Sequence, residues 1–250
     1  MCIAILNSSS TIDKITFMTC WENNPDGAGI AYIENNTIKI LKEMDFPERL
    51  YFNYVELRKN NLAPMIIHFR IATSGSIDED NCHPFPVHPG LVMAHNGILD
   101  NIPVEPGSKV NDTRIFINDI LSMLPENFTE NTGIQRLLSG FIGDSKLVFL
   151  DKNGNYVLIN ESLGHWDDTH ENWFSNYSYL NEYAWGNSRR LARHTARYPA
   201  IHGYDECDWA MCEGCENWVE TEELVHDKYL GAIICSDCQE YYYQNLIHDV

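Results

Sequence analysis

A cysteine stands directly after the initiator methionine of this 250-residue chain, and its position is the first feature that carries chemistry. Methionine aminopeptidases remove Met1 when the next residue is small, which would leave the Cys2 thiol beside its own α-amine. That amine, with a reference pKa of about 7.7–8.0, can act as general base for its own nucleophile with no histidine. With Met1 attached there is no free amine at Cys2, and that chemistry cannot run. Taken alone, Cys2 reads first as an incidental buried side chain on a first strand. At the other end, Cys212-Glu-Gly-Cys215 and Cys235-Ser-Asp-Cys238 form two CxxC knuckles, 19 residues apart. That spacing suits a four-cysteine structural zinc site, closed to catalysis. Cys207 and His226 are spare candidates outside the pattern.

The elements that must position these groups read as α+β. Cys2–Leu6 is a short apolar run, and Gly29–Ile33 with Thr37–Leu41 predicts a hairpin across Glu34–Asn36. Pro47–Asn60 has helical spacing through Leu50, Tyr54 and Leu57. Pro64–Ala72 is a run of strand formers in which His68 and Arg70, two apart, share a face. Leu91–His95 predicts a strand that runs into the Asn96-Gly97 turn. Asp112–Leu124 predicts a helix capped by Asn111 or Asp112. Lys146–Asp151 and Asn155–Asn160 predict a second hairpin. Residues 161–203 are rich in Asn, Tyr and Trp and weakly periodic, and read as a connector.

Between these elements, in order, stand Asp26-Gly-Ala-Gly29, His68-Phe-Arg-Ile-Ala-Thr73, Asn81-Cys-His-Pro84, His95-Asn-Gly97 and Asn111-Asp-Thr113. This succession after Met-Cys resembles the glutaminase domain of the class II glutamine amidotransferases, over about residues 1–160. The resemblance implies an N-terminal nucleophile hydrolase fold, a layered αββα sandwich, with glutamine as substrate. It also implies that Cys2 attacks the side-chain amide and forms a glutamyl thioester. Asn96 and Gly97 then supply the oxyanion hole, where one donor is typically worth about 10²–10³ in rate. Arg70 grips the substrate α-carboxylate bidentately, Asp112 pairs with its α-ammonium, and Thr73 helps at the carboxylate.

Other residues have bland readings beside the functional ones. His68 reads as a strand residue that packs, and His83 equally as a pocket frame or a loop residue. Gly27 and Gly29 read as turn glycines, and Cys20 and Cys82 as small buried hydrophobes. The chain departs from the family pattern at Ile71, where an aromatic is common, at Asn23-Asn24-Pro25, where an Arg is common, and at Arg114, where an acid is common. These departures bear on substrate closure more than on the nucleophile.

The boundaries expected are a glutaminase domain over 1–165, a connector with a basic stretch over 166–204, and a zinc ribbon over 205–250. No acceptor-binding domain, phosphate-cradling loop or nucleotide motif follows the first domain. Its ammonia is therefore expected to pass to a partner synthase or ligase. Acids outnumber bases 36 to 17, for a net charge of -19, which disfavours nucleic acid and anionic membranes. Residues 201–250 alone hold 12 acids and the single base Lys228, net -11. Four thiolates on one Zn²⁺ add about -2 more, so this module is expected to meet a basic protein surface. Arg189, Arg193 and Arg197, at i, i+4 spacing, read either as such a patch in cis or as a solvated helix face. No apolar run reaches the length of about 18 residues that a membrane span needs. The N-terminus lacks the basic start and cleavage site of a secretory signal, so a cytoplasmic protein is expected. The competing reading, from a different class, is a catalytically silent adaptor that keeps the sandwich and the ribbon for protein binding.

Overall fold

The computed structural model describes residues 2–180, 209–212, 218–220, 224–227 and 232–240. The chain divides into two compact units, Met1–Ser188 and Arg189–Val250. In the first, the elements run β1 (Ile3–Asn7), α1 (Lys14–Asn23), β2 (Ala28–Glu34), β3 (Thr37–Glu43), α2 (Pro47–Asn60) and β4 (Met65–Phe69). They continue with β5 (Phe85–His88), β6 (Leu91–Asn96), α3 (Asp112–Asp119), α4 (Thr132–Ile142), β7 (Lys146–Asp151), β8 (Tyr156–Ile159), β9 (His165–Trp166) and β10 (Asn172–Phe174). Two antiparallel sheets result, ordered β3-β2-β4-β1-β10-β9 and β5-β6-β7-β8.

The side-chain alternation within single strands dictates four layers. In β1, Ile3 and Ile5 pack with Phe17 and Cys20 of α1 and Leu50 and Tyr54 of α2. Ala4 and Leu6 of the same strand point the other way, against Val92 and Ala94 of β6 and Val148 and Leu150 of β7. The far faces of β6 and β7, through Met93, Leu147 and Phe149, carry Phe116 of α3 and Leu138 and Ile142 of α4. Helices, sheet, sheet, helices: the inner strands are buried on both faces, so they read as largely apolar runs. The αββα sandwich expected from the motif order is the architecture of this unit.

Four segments differ from the sequence reading. α3 ends at Asp119, five residues short of the expected Leu124, because the chain tightens into a 3₁₀ turn that buries Leu121. Its cap is Asn111, whose side chain accepts from the Arg114 N–H at 2.9 Å. α1 and α4 have no counterpart in the sequence reading. α1 is rich in β-branched residues, and α4 holds Gly133 and Gly140, which lower helix propensity. The connector expected from residue 166 begins inside β9, and β10 within it lies beside β1 in the sheet, with Ile5 opposite Phe174. Gly29 sits in β2, as the hairpin from Gly29 predicts, and not in the turn of its other reading. A Cβ there would lie 2.3 Å from the His83 carbonyl oxygen, so glycine admits that loop.

In the second unit the described strands are β11 (Trp209–Met211), β12 (Trp218–Glu220), β13 (Leu224–Asp227) and β14 (Ala232–Cys235). They form two antiparallel pairs, β11-β12 and β13-β14, and residues 236–240 are helical. Among the described residues no helix is long and apolar enough to cross a membrane.

Candidate active site

β1 begins, and β4 and β6 end, on the same edge of the sandwich, and the N-terminus of α3 joins them there. The result is a small cleft lined in part by Cys2, Arg70, Thr73, Gly97 and Asp112. The residues singled out from the sequence as nucleophile, substrate clamp and backbone donor thus converge, although they span more than a hundred positions. Asn96 lies at the same place with its side chain otherwise engaged: its Nδ2 donates to the carbonyl oxygen of Cys2.

The Cys2 thiol is held by the backbone of one residue. The Ile71 N–H donates to Sγ at 3.3 Å, and the thiol donates to the Ile71 carbonyl at 3.2 Å. Burial pushes the thiol above its ordinary pKa, with the Ile71 hydrogen bond and the Arg70 charge working against that rise. A thiol in this setting is protonated at neutral pH and needs a base to become a nucleophile.

Arg70 and Asp112 form a matched pair of opposite charges at the cleft. Arg70 has just left β4: its N–H donates to the Gly27 carbonyl at 2.8 Å, and its own carbonyl accepts from the Asp26 N–H at 2.9 Å. Its side chain is 2% exposed; Nη2 donates to the Ser74 carbonyl at 3.2 Å, and Nη1 has no protein partner. A buried guanidinium nitrogen without an acceptor costs free energy unless an anion completes it, which suits a substrate carboxylate. Asp112 Oδ2 accepts from the Leu99 N–H at 3.0 Å and Oδ1 from the Thr113 N–H at 2.8 Å. The Ser74 hydroxyl reaches Asp112 Oδ1 at 3.4 Å, so Ser74 bridges the two charged groups and fixes their spacing. Thr73 is exposed at the rim.

Behind the cleft lie three buried histidines. His68 Nε2 faces the His95 carbonyl at 3.1 Å, and His95 Nδ1 faces the Thr113 hydroxyl at 2.8 Å. The His83 ring packs 4.3 Å from that of His68 and 4.4 Å from Phe85, and neither of its nitrogens has a protein partner. Desolvation lowers His68 to about 3 and His95 to about 4, and holds His83 well below its ordinary value. All three are neutral at physiological pH, so they add no cation beside Arg70. The packing role expected of His68 fits this arrangement, and His83 borders the cleft.

Sequence reasoning assigned no role to three residues at this site, although Asp26 opens one of the motifs. Asp26 Oδ2 accepts from the Ala72 N–H at 2.7 Å and braces the loop that carries Arg70 and Ile71. Ser74 has just been described. Asn176, in the segment read as connector, donates to the Cys2 carbonyl at 2.7 Å. Composition there shows only an excess of Asn, and no spacing marks this one.

In the second unit, the ligand atoms of Cys212, Cys235 and Cys238 lie within 4.8 Å of one another. The Cys235 N–H donates to Cys212 Sγ at 3.1 Å, which suits a thiolate. These three cysteines could hold a metal ion. Cys207, Cys215 and the arginines at 189, 193 and 197 lie outside the described residues.

Comparison with known proteins agrees with the motifs. The profile of the family described as glutamine amidotransferases class-II matches residues 5–137. The chain belongs to the class II glutamine amidotransferases. None of the curated proteins matches the sequence significantly. Among solved structures, the chain is similar to the glutamine phosphoribosylpyrophosphate amidotransferase of B. subtilis complexed with ADP and GMP (17% identity, TM-score 0.43). It is similar also to an allosteric regulatory enzyme of purine biosynthesis (18%, 0.44), and in each case 70% of this chain covers 41% of the other. A glutamine aminotransferase class-II domain protein from Silicibacter pomeroyi shows 14% identity and a TM-score of 0.36, with 70% and 87% of the two chains covered. The chain therefore spans about two fifths of the length of the first two.

Proposed function

We propose that this protein is a glutaminase of the amidotransferase type, with Cys2, freed by removal of Met1, as its nucleophile. The observation that carries this reading is the cleft that joins the Cys2 thiol to a buried arginine lacking an acceptor and a carboxylate across from it. A cation and an anion at fixed separation suit the head group of a free amino acid and not a peptide-internal glutamine. The α-amine of Cys2 takes the thiol proton as sulfur attacks the side-chain carbonyl carbon of glutamine. The oxyanion is met by the Gly97 N–H and by the second Nδ2 proton of Asn96, since an amide has two and one is on the Cys2 carbonyl. Collapse of the tetrahedral adduct breaks the C–N bond; the proton held by the amine passes to the leaving nitrogen, and ammonia departs. Water then attacks the glutamyl thioester, activated by the same amine, and releases glutamate and the free thiol. The ammonia is used by an acceptor on a partner synthase or ligase.

The substrate clamp provides the test. Arg70→Ala is expected to raise KM for glutamine about ten- to hundredfold through loss of a charge-assisted pair. Asp112→Asn, which keeps the shape but not the charge, is expected to do the same from the ammonium side. Glutamine turnover measured by glutamate release that survives both changes would sink the substrate assignment.

The cysteine cluster of the second unit is proposed as a structural zinc site completed by Cys215. A module of roughly 45 residues needs such a staple because its own core is small. Metal analysis after zinc-replete expression is expected to find about one zinc per chain, lost in Cys235→Ser. A wild-type protein without zinc overturns the site.

A further inference from the structure

We infer that Asn176 is a positioning residue for the nucleophile, holding the Cys2 carbonyl and orienting the Asn96 amide; this rests on the glutaminase reading above. Chain ends fray unless something ties them down. Cys2 precedes β1, whose pairing with β4 starts at Ile3 opposite Phe69, so no ladder bond reaches the nucleophile's own residue. Its carbonyl is gripped instead by two side-chain amides, Nδ2 of Asn96 and Nδ2 of Asn176, the latter at 2.7 Å. With that carbonyl fixed and Sγ held at Ile71, rotation about the Cys2 backbone is arrested, and the α-nitrogen is fixed relative to the thiol.

The Asn176 amide is itself pinned at both ends. Its Oδ1 accepts from the Ser178 N–H at 2.9 Å, so the amide cannot flip without losing that bond and the one to Cys2. Nδ2 lies 3.4 Å from Asn96 Oδ1, which turns the Asn96 nitrogen toward the nucleophile's carbonyl. The segment carrying Asn176 is anchored in turn. Ser175 N–H donates to the Ala4 carbonyl at 3.0 Å, and the Ala4 N–H donates to Ser175 Oγ at 2.9 Å. Asn23 donates to the Ser178 carbonyl at 2.7 Å and Asn24 to its hydroxyl at 3.2 Å, and both asparagines are buried. Asn23 and Asn24 are where this chain departs from the family pattern, and here they brace the turn behind the nucleophile. Asn176 lies beyond the family-matched span of 5–137, so nothing in that match assigns it.

The experiment measures glutamine hydrolysis by Met1-processed wild type, Asn176→Ala and Asn176→Asp, with sites counted by a glutamine-mimicking electrophile that alkylates Cys2. Ionised aspartate keeps the Ser178 turn but has no donor for the Cys2 carbonyl, so it tests this hydrogen bond even if the alanine variant does not fold. In both variants kcat per titrated site is expected to fall about ten- to thirtyfold, with KM for glutamine within about twofold. A kcat per site within about twofold of wild type overturns the inference, including when fewer sites titrate, because that pattern marks a residue needed only for folding. Wild type that titrates but makes no glutamate would overturn the glutaminase reading itself, a different result from a wild type and variants that turn over alike.

Discussion

Cys2→Ala is expected to abolish glutamine hydrolysis, with a fall in kcat of at least about 10⁴-fold, while glutamine still binds. The clamp explains the separation. Arg70 and Asp112 take their positions from the 26–27 turn, Ser74 and the start of α3, whereas the Cys2 thiol is hydrogen-bonded to Ile71. What the substitution removes is the pair of sulfur hydrogen bonds to the Ile71 peptide, at 3.2 and 3.3 Å to Sγ. These are weak, and Asp26 still holds the loop without them. Calorimetric titration of Cys2→Ala with glutamine should therefore give a dissociation constant near the wild-type KM. Protein made with its aminopeptidase inhibited, so that Met1 stays, should be equally inactive although the thiol is present. In this buried setting the thiol is raised above its ordinary pKa, and its hydrogen bonds run to the Ile71 backbone rather than to a histidine. Turnover by the Met1-bearing form would show that some other base serves. Turnover by Cys2→Ala would move the nucleophile elsewhere, and buried Cys82, held to about 12 by desolvation, is a poor replacement.

The inner layers of this fold were legible because burial on both faces writes itself into the chain. Ile3–Leu6, Met65–Ile67 and Leu91–Ala94 have no polar position to spare, and such runs announce strands. α2 was legible for a different reason: Leu50, Tyr54 and Leu57 recur at helical spacing, and Leu50 and Tyr54 are among the residues it buries. α4 was not, since two glycines obscure a helix whose stability comes from Leu138 and Ile142 in the outer core. β10 has three residues, and its partner β1 lies some 170 positions away in sequence, so nothing local signals the pairing. The same split runs through the candidate site. Arg70, Gly97 and Asp112 sit in motifs whose residue types are demanded by charge or backbone geometry. Asn176 acts by a single amide at long range, and a position whose role depends on what the fold brings to it leaves no pattern in the chain.

Gly97→Ala should show how narrow the tolerance at the oxyanion site is. Gly97 has φ +146°, a region that side-chain-bearing residues rarely adopt. A Cβ there would lie 2.1 Å from Ser145 Oγ, 2.7 Å from its Cβ and 2.8 Å from its Cα. Ser145 cannot step aside: it is buried, its hydroxyl donates to the Ile98 carbonyl at 3.0 Å, and its carbonyl accepts from Asn160 at 2.8 Å. The Gly97 peptide must therefore move, at a cost of about 1–3 kcal/mol in stability. Its N–H leaves the place where negative charge develops, so kcat per titrated Cys2 should fall about 10²–10³-fold. KM should change little, because the head-group clamp does not involve this peptide. Adding Ser145→Gly relieves the overlap with Oγ and Cβ, but the backbone of residue 145 still crowds the new methyl group and the φ angle is unchanged. The double variant should therefore recover only part of the loss. A single variant within about threefold of wild type would remove the Gly97 N–H from the oxyanion hole and leave Asn96 as its donor.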